Sequence, residues 1–269
     1  MEEKLFSKKH LKNKTKATKK RAKQLKPSTS DKQNVFLLNF KGDMKASSVD
    51  KLQEEITAIL NVAIPQDEVI LKLESSGGAV QGYGLASAQL ARIREKGVHL
   101  TICIDQVAAS GGYLMAVTAN QILAAPFAII GSIGVISFIP NFNKFLKKHN
   151  IDVEEHAAGE YKKSISFFGE VSSKDRDRFQ KNLEEIHYYF KRYVVQFRPQ
   201  IDIDKIATGE YWLASKAIDL KLIDEIKTSG SYLLEKSKEA NIFELSYETK
   251  KTLTDKINKG FMSLQNFWV

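Results

Sequence analysis

Short apolar runs alternate with segments of helical periodicity over residues 35–104, and this alternation narrows the possible folds to one class. Three runs have the length and composition of strands: Val35–Phe40, Val69–Leu73 and Val98–Ile104. Two segments between them, Ser47–Val62 and Ala79–Lys96, repeat apolar residues at helical spacing. Strands that alternate with helices form βαβ units, so the sequence predicts an α/β core.

The later part of the chain carries weaker signals, which we interpret by the same rules. We predict a short apolar helix after Gly112, brief strands over Gln121–Ala124 and Gly134–Ser137, and a long helix over Phe179–Phe197. Residues 106–143 contain no charged side chain, as in a membrane span, but glycines and prolines interrupt the stretch. We therefore predict that this region is the dry centre of a soluble fold.

The excess of positive charge lies at one end of the chain. The net charge is +9, and residues 1–28 hold eleven Lys or Arg against two acidic residues, so the rest of the chain is neutral. Such a polar segment cannot bury enough surface to fold alone, and we predict a disordered basic tail or linker over residues 1–33. A neutral body argues against a specific nucleic-acid binder. We interpret the tail first as a solvated linker, with attachment to an anionic membrane surface as the main alternative.

Two glycine-bearing turns carry the strongest chemical signal. Glu74-Ser-Ser-Gly-Gly78 and Val107-Ala-Ala-Ser-Gly-Gly112 each join a predicted strand to a predicted helix. Glycine backbones can turn sharply and aim free N–H groups at one point, which is the arrangement of an oxyanion hole. Ser110, flanked by small residues, is a candidate nucleophile at the second turn. Taken alone, the same motif is equally compatible with an ordinary structural turn.

Several longer segments carry a family resemblance. LESSGGAVQGYGLASAQLARIREKG, VAASGGYLMA, APFAIIGSIGVI, PNFNKFLKKHNID and AAGEYKKS closely resemble the SohB and signal peptide peptidase A (SppA) family of bacterial serine proteases, and its SohB branch most. The resemblance runs almost continuously from Val35 to Lys227. It implies a ClpP/crotonase-type fold, a spiral of ββα units, with the protease domain over residues 34–240 and a C-terminal extension over residues 241–269.

The resemblance also implies a Ser–Lys dyad. The family's nucleophile lies in an A-A-S-G-G motif, here at Ser110, and its general base is the lysine of a G-x-x-K motif, here Lys162 rather than the lysine that follows it. The implied oxyanion donors are the N–H groups of Gly78 and Gly111. The Ser132 hydroxyl, in a G-S-x-G-V motif, is implied to accept a hydrogen bond from the lysine and to orient it.

A lysine that acts as a base needs surroundings that lower its pKa. Lysine accepts a proton only when it is neutral, although its free pKa is about 10.4. Desolvation lowers the pKa of a lysine, so we expect the charge-free stretch around Ser110, together with Ile165, Phe167 and Phe168, to surround Lys162 with apolar groups.

A histidine base is the alternative mechanism on this fold. We assign His149 and His187 to ordinary surface or packing positions, and only His156 lies near the G-x-x-K motif.

The chain also departs from the family at Ser76, where proline is common before the two glycines. The glycines supply the donors, so this change affects the shape of the substrate groove rather than the mechanism.

These features predict a serine endopeptidase that cleaves unfolded or membrane-derived, signal-peptide-like peptides through an acyl-enzyme. A crotonase-like acyl-CoA enzyme and a non-enzymatic scaffold are the alternatives, and neither needs a serine and a lysine at these positions. We expect no cofactor. The single cysteine, Cys103, excludes a disulfide framework and a multi-cysteine metal site, and no metal is expected.

The resemblance also implies partners and a location. Neighbouring subunits complete the active sites in the family, so we expect a homo-oligomer with residues 241–269 as a possible contact. Family members carry an N-terminal membrane anchor that we do not find in this sequence. We expect membrane association, either through an anchor missing from this sequence or through the basic tail. The family implies the periplasmic face of the bacterial inner membrane, whereas the lysine-rich tail favours the cytoplasmic side.

Overall fold

A computed structural model of the chain describes residues 32–159, 162 and 165–248. Nearly all of the basic tail predicted over residues 1–33, and the end of the extension predicted over residues 241–269, lie outside the described residues. The described strands are β1 (Asn34–Lys41), β2 (Glu68–Glu74), β3 (His99–Ile104), β4 (Val107–Ala109), β5 (Gln121–Ala124), β6 (Ile129–Gly131), β7 (Tyr211–Leu213), β8 (Glu225–Ile226) and β9 (Asn241–Glu244).

Two sheets organise these strands. The larger has six strands, all parallel, in the order β8-β5-β3-β2-β1-β9. The smaller has the order β4-β6-β7, with β4 and β6 parallel and β6 and β7 antiparallel. A single bridge between Ser75 and Ala108 joins the end of β2 to β4. The two sheets therefore meet at the first predicted glycine turn, whereas the chain itself passes from the large sheet to the small one between β3 and β4.

Helices cover the large sheet, and alternate side chains of its strands point to opposite faces. The described helices are α1 (Val49–Leu60), α2 (Val80–Glu95), α3 (Gly111–Ala116), α4 (Asn143–Lys148), α5 (Ser173–Phe197), α6 (Ile203–Ile206), α7 (Ala214–Ala217) and α8 (Ser229–Glu239). Leu38 and Leu71 face the core formed with α1, α2 and α3, whereas Val35 and Ile70 face Tyr232 of α8. Burial on both faces is typical of parallel sheets. In the described part of the chain, no helix combines the length and apolar character that a bilayer crossing requires.

The predicted alternation of strands and helices is confirmed from β1 to β3, with ends that differ by at most two residues. The strand predicted over Gly134–Ser137 is wrong, because the strand in this region is β6, which ends at Gly131. Gly131 has φ +109° and Ser132 has φ +53°. These conformations turn the backbone away from an extended path, so residues 134–137 continue as an irregular segment.

Two further elements differ in extent from the sequence expectation. The long helix begins at Ser173, where a capping box joins Ser172 and Asp175 and satisfies two N–H groups that would otherwise lack partners. Residues 241–244, assigned from sequence to the C-terminal extension, form β9 and pair with β1 at one edge of the large sheet.

Candidate active site

Ser110 lies at the turn between β4 and α3, in a backbone conformation that is rare for a residue with a side chain. Its φ is +50° and its ψ is −121°, a combination that costs about 1–3 kcal/mol outside glycine. Its N–H donates to the Gly131 carbonyl at 2.8 Å, and its own carbonyl accepts from the Leu114 N–H at 2.9 Å. The surrounding backbone thus holds the half-buried Ser110 side chain at the mouth of a cleft.

The first glycine turn lies directly against this serine. The Ser75 N–H donates to the Val107 carbonyl at 2.9 Å, and the Ala109 N–H donates to the Ser75 carbonyl at 3.0 Å. Gly77 follows with φ +93°, and a Cβ built on it would lie 2.7 Å from the Gly111 nitrogen and 2.8 Å from the Ser110 Cβ. Only glycine fits this approach, so the two turns form one structure.

Four of the five site residues predicted from sequence meet at one cleft of about 1280 Å³: Ser110, Gly78, Gly111 and Ser132. A side chain at Gly78 would collide with the Met44 backbone. Gly111 is the first residue of α3, so its N–H has no partner within the helix. The cleft therefore brings together the Ser110 hydroxyl and the backbones of Gly78 and Gly111, which come from the two glycine turns.

The wall opposite the glycine turns is formed by residues 132–138 and by α5. Ser132 donates its N–H to the Glu210 carbonyl at 2.6 Å. Beyond it, Ile136 and Phe138 point into solvent, with 91% and 92% of their surfaces exposed, and both line the cleft. Leu114 and Tyr189 add further apolar surface. Such a lining favours apolar ligand groups over strongly charged ones.

His187, for which the sequence predicts an ordinary surface or packing position, lines the cleft from α5. Its Nε2 lies 3.2 Å from the Ile133 carbonyl, and because a carbonyl can only accept, this nitrogen carries the hydrogen. The contact fastens the 132–138 segment to the helix. His149 and His156 are exposed, and His156 is paired with Glu154 at 3.3 Å.

Lys162 is the predicted site residue that the single chain does not bring into the cleft. It is exposed, and its N–H donates to the Gly159 carbonyl at 3.1 Å. It is not among the described residues that line the cleft. Phe167 and Phe168, expected to enclose it, each have about half of their surface exposed. Within one subunit the apolar enclosure expected for the lysine is absent from the described residues, and its role stays a prediction.

The close approach of the two turns predicts a large effect on stability from a single methyl group. Gly77→Ala places a Cβ against Gly111 at φ +93°, so we expect the free energy of unfolding to fall by about 3 kcal/mol. Urea denaturation measures this change. The control is Gly230→Ala in α8, where nothing lies within 4 Å of the added atom. The control should unfold at the same urea concentration as the parent or a higher one, and an unaltered midpoint for Gly77→Ala would contradict the packing described here.

Comparison with protein families identifies the chain. The model of peptidase family S49 matches residues 92–242, more than half of the chain, and the model of the family's N-terminal region matches residues 1–90. The chain belongs to peptidase family S49. The family resemblance seen in the sequence is thereby confirmed.

Curated relatives place the S49 chain near SohB. It is 52% identical over 225 residues to a probable protease SohB of Haemophilus influenzae, covering 84% of this chain and 64% of that protein. It is 47% identical over 227 residues to a probable protease SohB of Buchnera aphidicola from Acyrthosiphon pisum, covering 84% and 68%. The chain thus spans about two thirds of the length of these relatives.

Two solved structures of a protein called 1510-N membrane-bound stomatin-specific protease share the fold. One is a serine-to-alanine variant, with a TM-score of 0.52 and 15% identity, covering 81% of this chain and all of that one. The other is a lysine-to-alanine variant in complex with a substrate peptide, with a TM-score of 0.51 and 16% identity, covering 87% and all of that chain. The likeness confirms the ClpP/crotonase-type fold expected for this S49 chain.

Proposed function

We propose that this S49 chain is a serine endopeptidase that hydrolyses unfolded or membrane-derived peptides through an acyl-enzyme on Ser110. The observation that carries the proposal is the contact between the two glycine turns. It sets the backbones of Gly78 and Gly111 beside a serine held in a strained conformation. Neither an acyl-CoA enzyme nor a scaffold of this fold needs a serine at that point.

The proposed reaction assigns a role to Ser110, to the two glycine backbones and to Lys162. The Ser110 Oγ attacks the peptide carbonyl carbon, and its proton passes to a neutral Lys162 Nζ. Negative charge develops on the carbonyl oxygen, and the N–H groups of Gly78 and Gly111 stabilise it. The C–N bond then breaks, and the leaving amine takes the proton back from Lys162. A water molecule then gives a proton to the neutral Lys162 Nζ and attacks the ester carbonyl; the ester C–O bond breaks, and the Ser110 Oγ takes the proton from Lys162.

We propose that Lys162 reaches the active site when subunits assemble. Lys162 is exposed and lies on the same segment as Phe167 and Phe168, which leave large aromatic surfaces uncovered in the single chain. Contact with a second subunit would bury these rings, desolvate the lysine and bring it to a serine. The two variants of the structural neighbour, one at a serine and one at a lysine, support a role for both residue types.

The shape of the cleft suggests how a substrate binds. An extended peptide can run between the first glycine turn, at Ser76 and Gly78, and the irregular segment around Ser137, all of which line the cleft. Both flanks offer backbone groups, so main-chain pairing would hold the peptide regardless of much of its sequence. We propose unfolded or membrane-extracted chains as substrates, because folded proteins do not present such extended segments.

Covalent labelling tests the proposed function most directly. A fluorophosphonate reacts with an activated serine hydroxyl, so we expect one label per chain, mapped by peptide sequencing to Ser110. Loss of casein hydrolysis should follow the labelled fraction in proportion. Labelling at a different serine, or full hydrolysis by fully labelled protein, would contradict the assignment.

A further inference from the structure

We propose that Tyr83 is a positioning residue that holds the two oxyanion-hole turns at a fixed separation and thereby controls the turnover rate. The inference rests on the proposed function, because it concerns the same two N–H groups. It begins from a buried hydroxyl that the proposed reaction does not use. Tyr83 lies in α2, and none of its surface is exposed when the chain stands alone.

The Tyr83 hydroxyl stands in a directed chain of hydrogen bonds. It donates to the Asp43 carbonyl at 2.8 Å and lies 2.6 Å from the Ser75 Oγ. Its single hydrogen points to Asp43, so Ser75 must donate to Tyr83. The Ser75 Oγ in turn accepts from the Gly77 N–H at 3.1 Å. The first glycine turn is thus tied through Ser75 to the tyrosine.

The ring of the same side chain supports the second turn. A Cβ built on Gly111 would lie 2.5 to 2.8 Å from three carbons of Tyr83, including two of the ring. The ring therefore packs directly against the Gly111 backbone. One rigid side chain contacts Gly111 with its ring and holds Gly77 through its hydroxyl, so it spans the two predicted donor turns.

The far end of the tyrosine is anchored as well. Asp43 accepts hydrogen bonds from the N–H of Lys45 and from both the N–H and the hydroxyl of Ser47. The neighbouring Met44 carbonyl accepts from the Ala79 N–H at 2.8 Å. The 43–47 turn therefore fixes Tyr83 and the residue after Gly78 together. Burial also raises the pKa of the Tyr83 hydroxyl, which keeps it a donor well above neutral pH.

This arrangement matters for rate because an oxyanion hole depends on distance. Its donors stabilise the transition state when they lie 2.7–3.1 Å from the charged oxygen. A substrate carbonyl carries far less charge than the tetrahedral intermediate. Loss of the tyrosine hydroxyl would therefore reduce the stabilisation of the transition state much more than it reduces the affinity for substrate.

Tyr83→Phe keeps the ring and removes the hydroxyl, and a fluorogenic peptide measures the result. We expect kcat to fall about tenfold or more while KM changes less than about twofold. A peptide aldehyde, which forms a tetrahedral adduct with the serine, should bind about tenfold more weakly. Ser75→Ala should have at least the same effect, because it removes the Tyr83–Ser75 hydrogen bond and also the acceptor of the Gly77 N–H. The double variant should be no slower than Ser75→Ala, because the Tyr83 hydroxyl acts on the first turn through Ser75.

Tyr232→Phe is the matched control. Tyr232 is also buried, and its hydroxyl lies 2.7 Å from the buried Glu68 carboxylate, on the other face of the large sheet. This variant should lose stability but keep the parental kcat and aldehyde affinity. Parental kcat in Tyr83→Phe, equal losses in both variants, or a change confined to KM would each overturn the inference.

Amide hydrogen exchange separates this inference from the proposed function. If the parent shows no hydrolysis that depends on Ser110, the proposed function fails, and exchange decides the role of Tyr83. Tyr83→Phe should then speed exchange at residues 76–79 and 110–112, whereas Tyr232→Phe should leave both segments unchanged. Unaltered exchange at both turns in Tyr83→Phe would overturn the coupling that we infer.

Discussion

Ser110→Ala is expected to lower peptide hydrolysis by about 10⁴-fold or more, because it removes the atom that forms the acyl-enzyme in the proposed reaction. The variant should keep its fold and still bind peptide, since the cleft and both glycine turns remain. Steady-state turnover of a fluorogenic peptide measures the loss, and active-site titration of the parent gives the concentration of working sites. Binding of an uncleaved peptide to the variant confirms that the cleft is intact.

A second substitution separates chemistry from backbone strain. Ser110→Gly also removes the nucleophile, but glycine adopts φ +50° without the cost that a side chain imposes. We expect both variants to be inactive and the glycine variant to be more stable than the alanine variant by about 1 kcal/mol. Ser237→Ala, on the exposed face of α8, should match the parent in activity. Parental turnover in Ser110→Ala would refute the assigned nucleophile.

The first half of the fold was predictable because its signals are local. Strand and helix periodicities differ, and the segments from β1 to β3 show each one clearly. The position of β6 was not predictable in the same way. An apolar run continues past Gly131, and the strand ends there because Ser132 turns and donates its N–H to Glu210, 78 residues further along the chain.

The same distinction between local and long-range signals applies to the residues of the candidate site. Ser110, Gly78 and Gly111 lie in short turns whose chemistry is visible in the sequence. Tyr83 and His187 could not be found from local patterns. In the sequence, Tyr83 cannot be told apart from the other apolar residues of its helix. Only the fold brings its hydroxyl to the Asp43 carbonyl, 40 residues earlier in the chain. Likewise, His187 reaches Ile133 across 54 residues.

The surroundings of Lys162 show a different limit. The sequence predicts apolar neighbours for it, and Phe167 and Phe168 are present, but they stay half exposed in the single chain. Whether a side chain is desolvated depends on everything packed around it, including other subunits. A motif therefore identifies the lysine without determining its protonation state.

Lys162→Ala is expected to lower peptide hydrolysis by about 10³-fold or more, because it removes the amine that takes the Ser110 proton in the proposed reaction. Lys163→Ala, the adjacent lysine, is the matched control and should keep turnover within about twofold. Lys162→Arg should also be inactive, since a guanidinium does not lose its proton in proteins. Turnover of the same fluorogenic peptide measures all three.

Mixing the two inactive variants tests where the lysine comes from. If each site takes its serine and its lysine from different subunits, random assembly of Ser110→Ala with Lys162→Ala chains restores about a quarter of the sites. We expect that recovery after joint refolding, and none when the chains are mixed already assembled. Turnover near the parental level in Lys162→Ala would refute the dyad itself. Absence of recovery after joint refolding would instead place serine and lysine in one chain, and Lys162 would then have to move from its exposed position into the cleft when substrate binds.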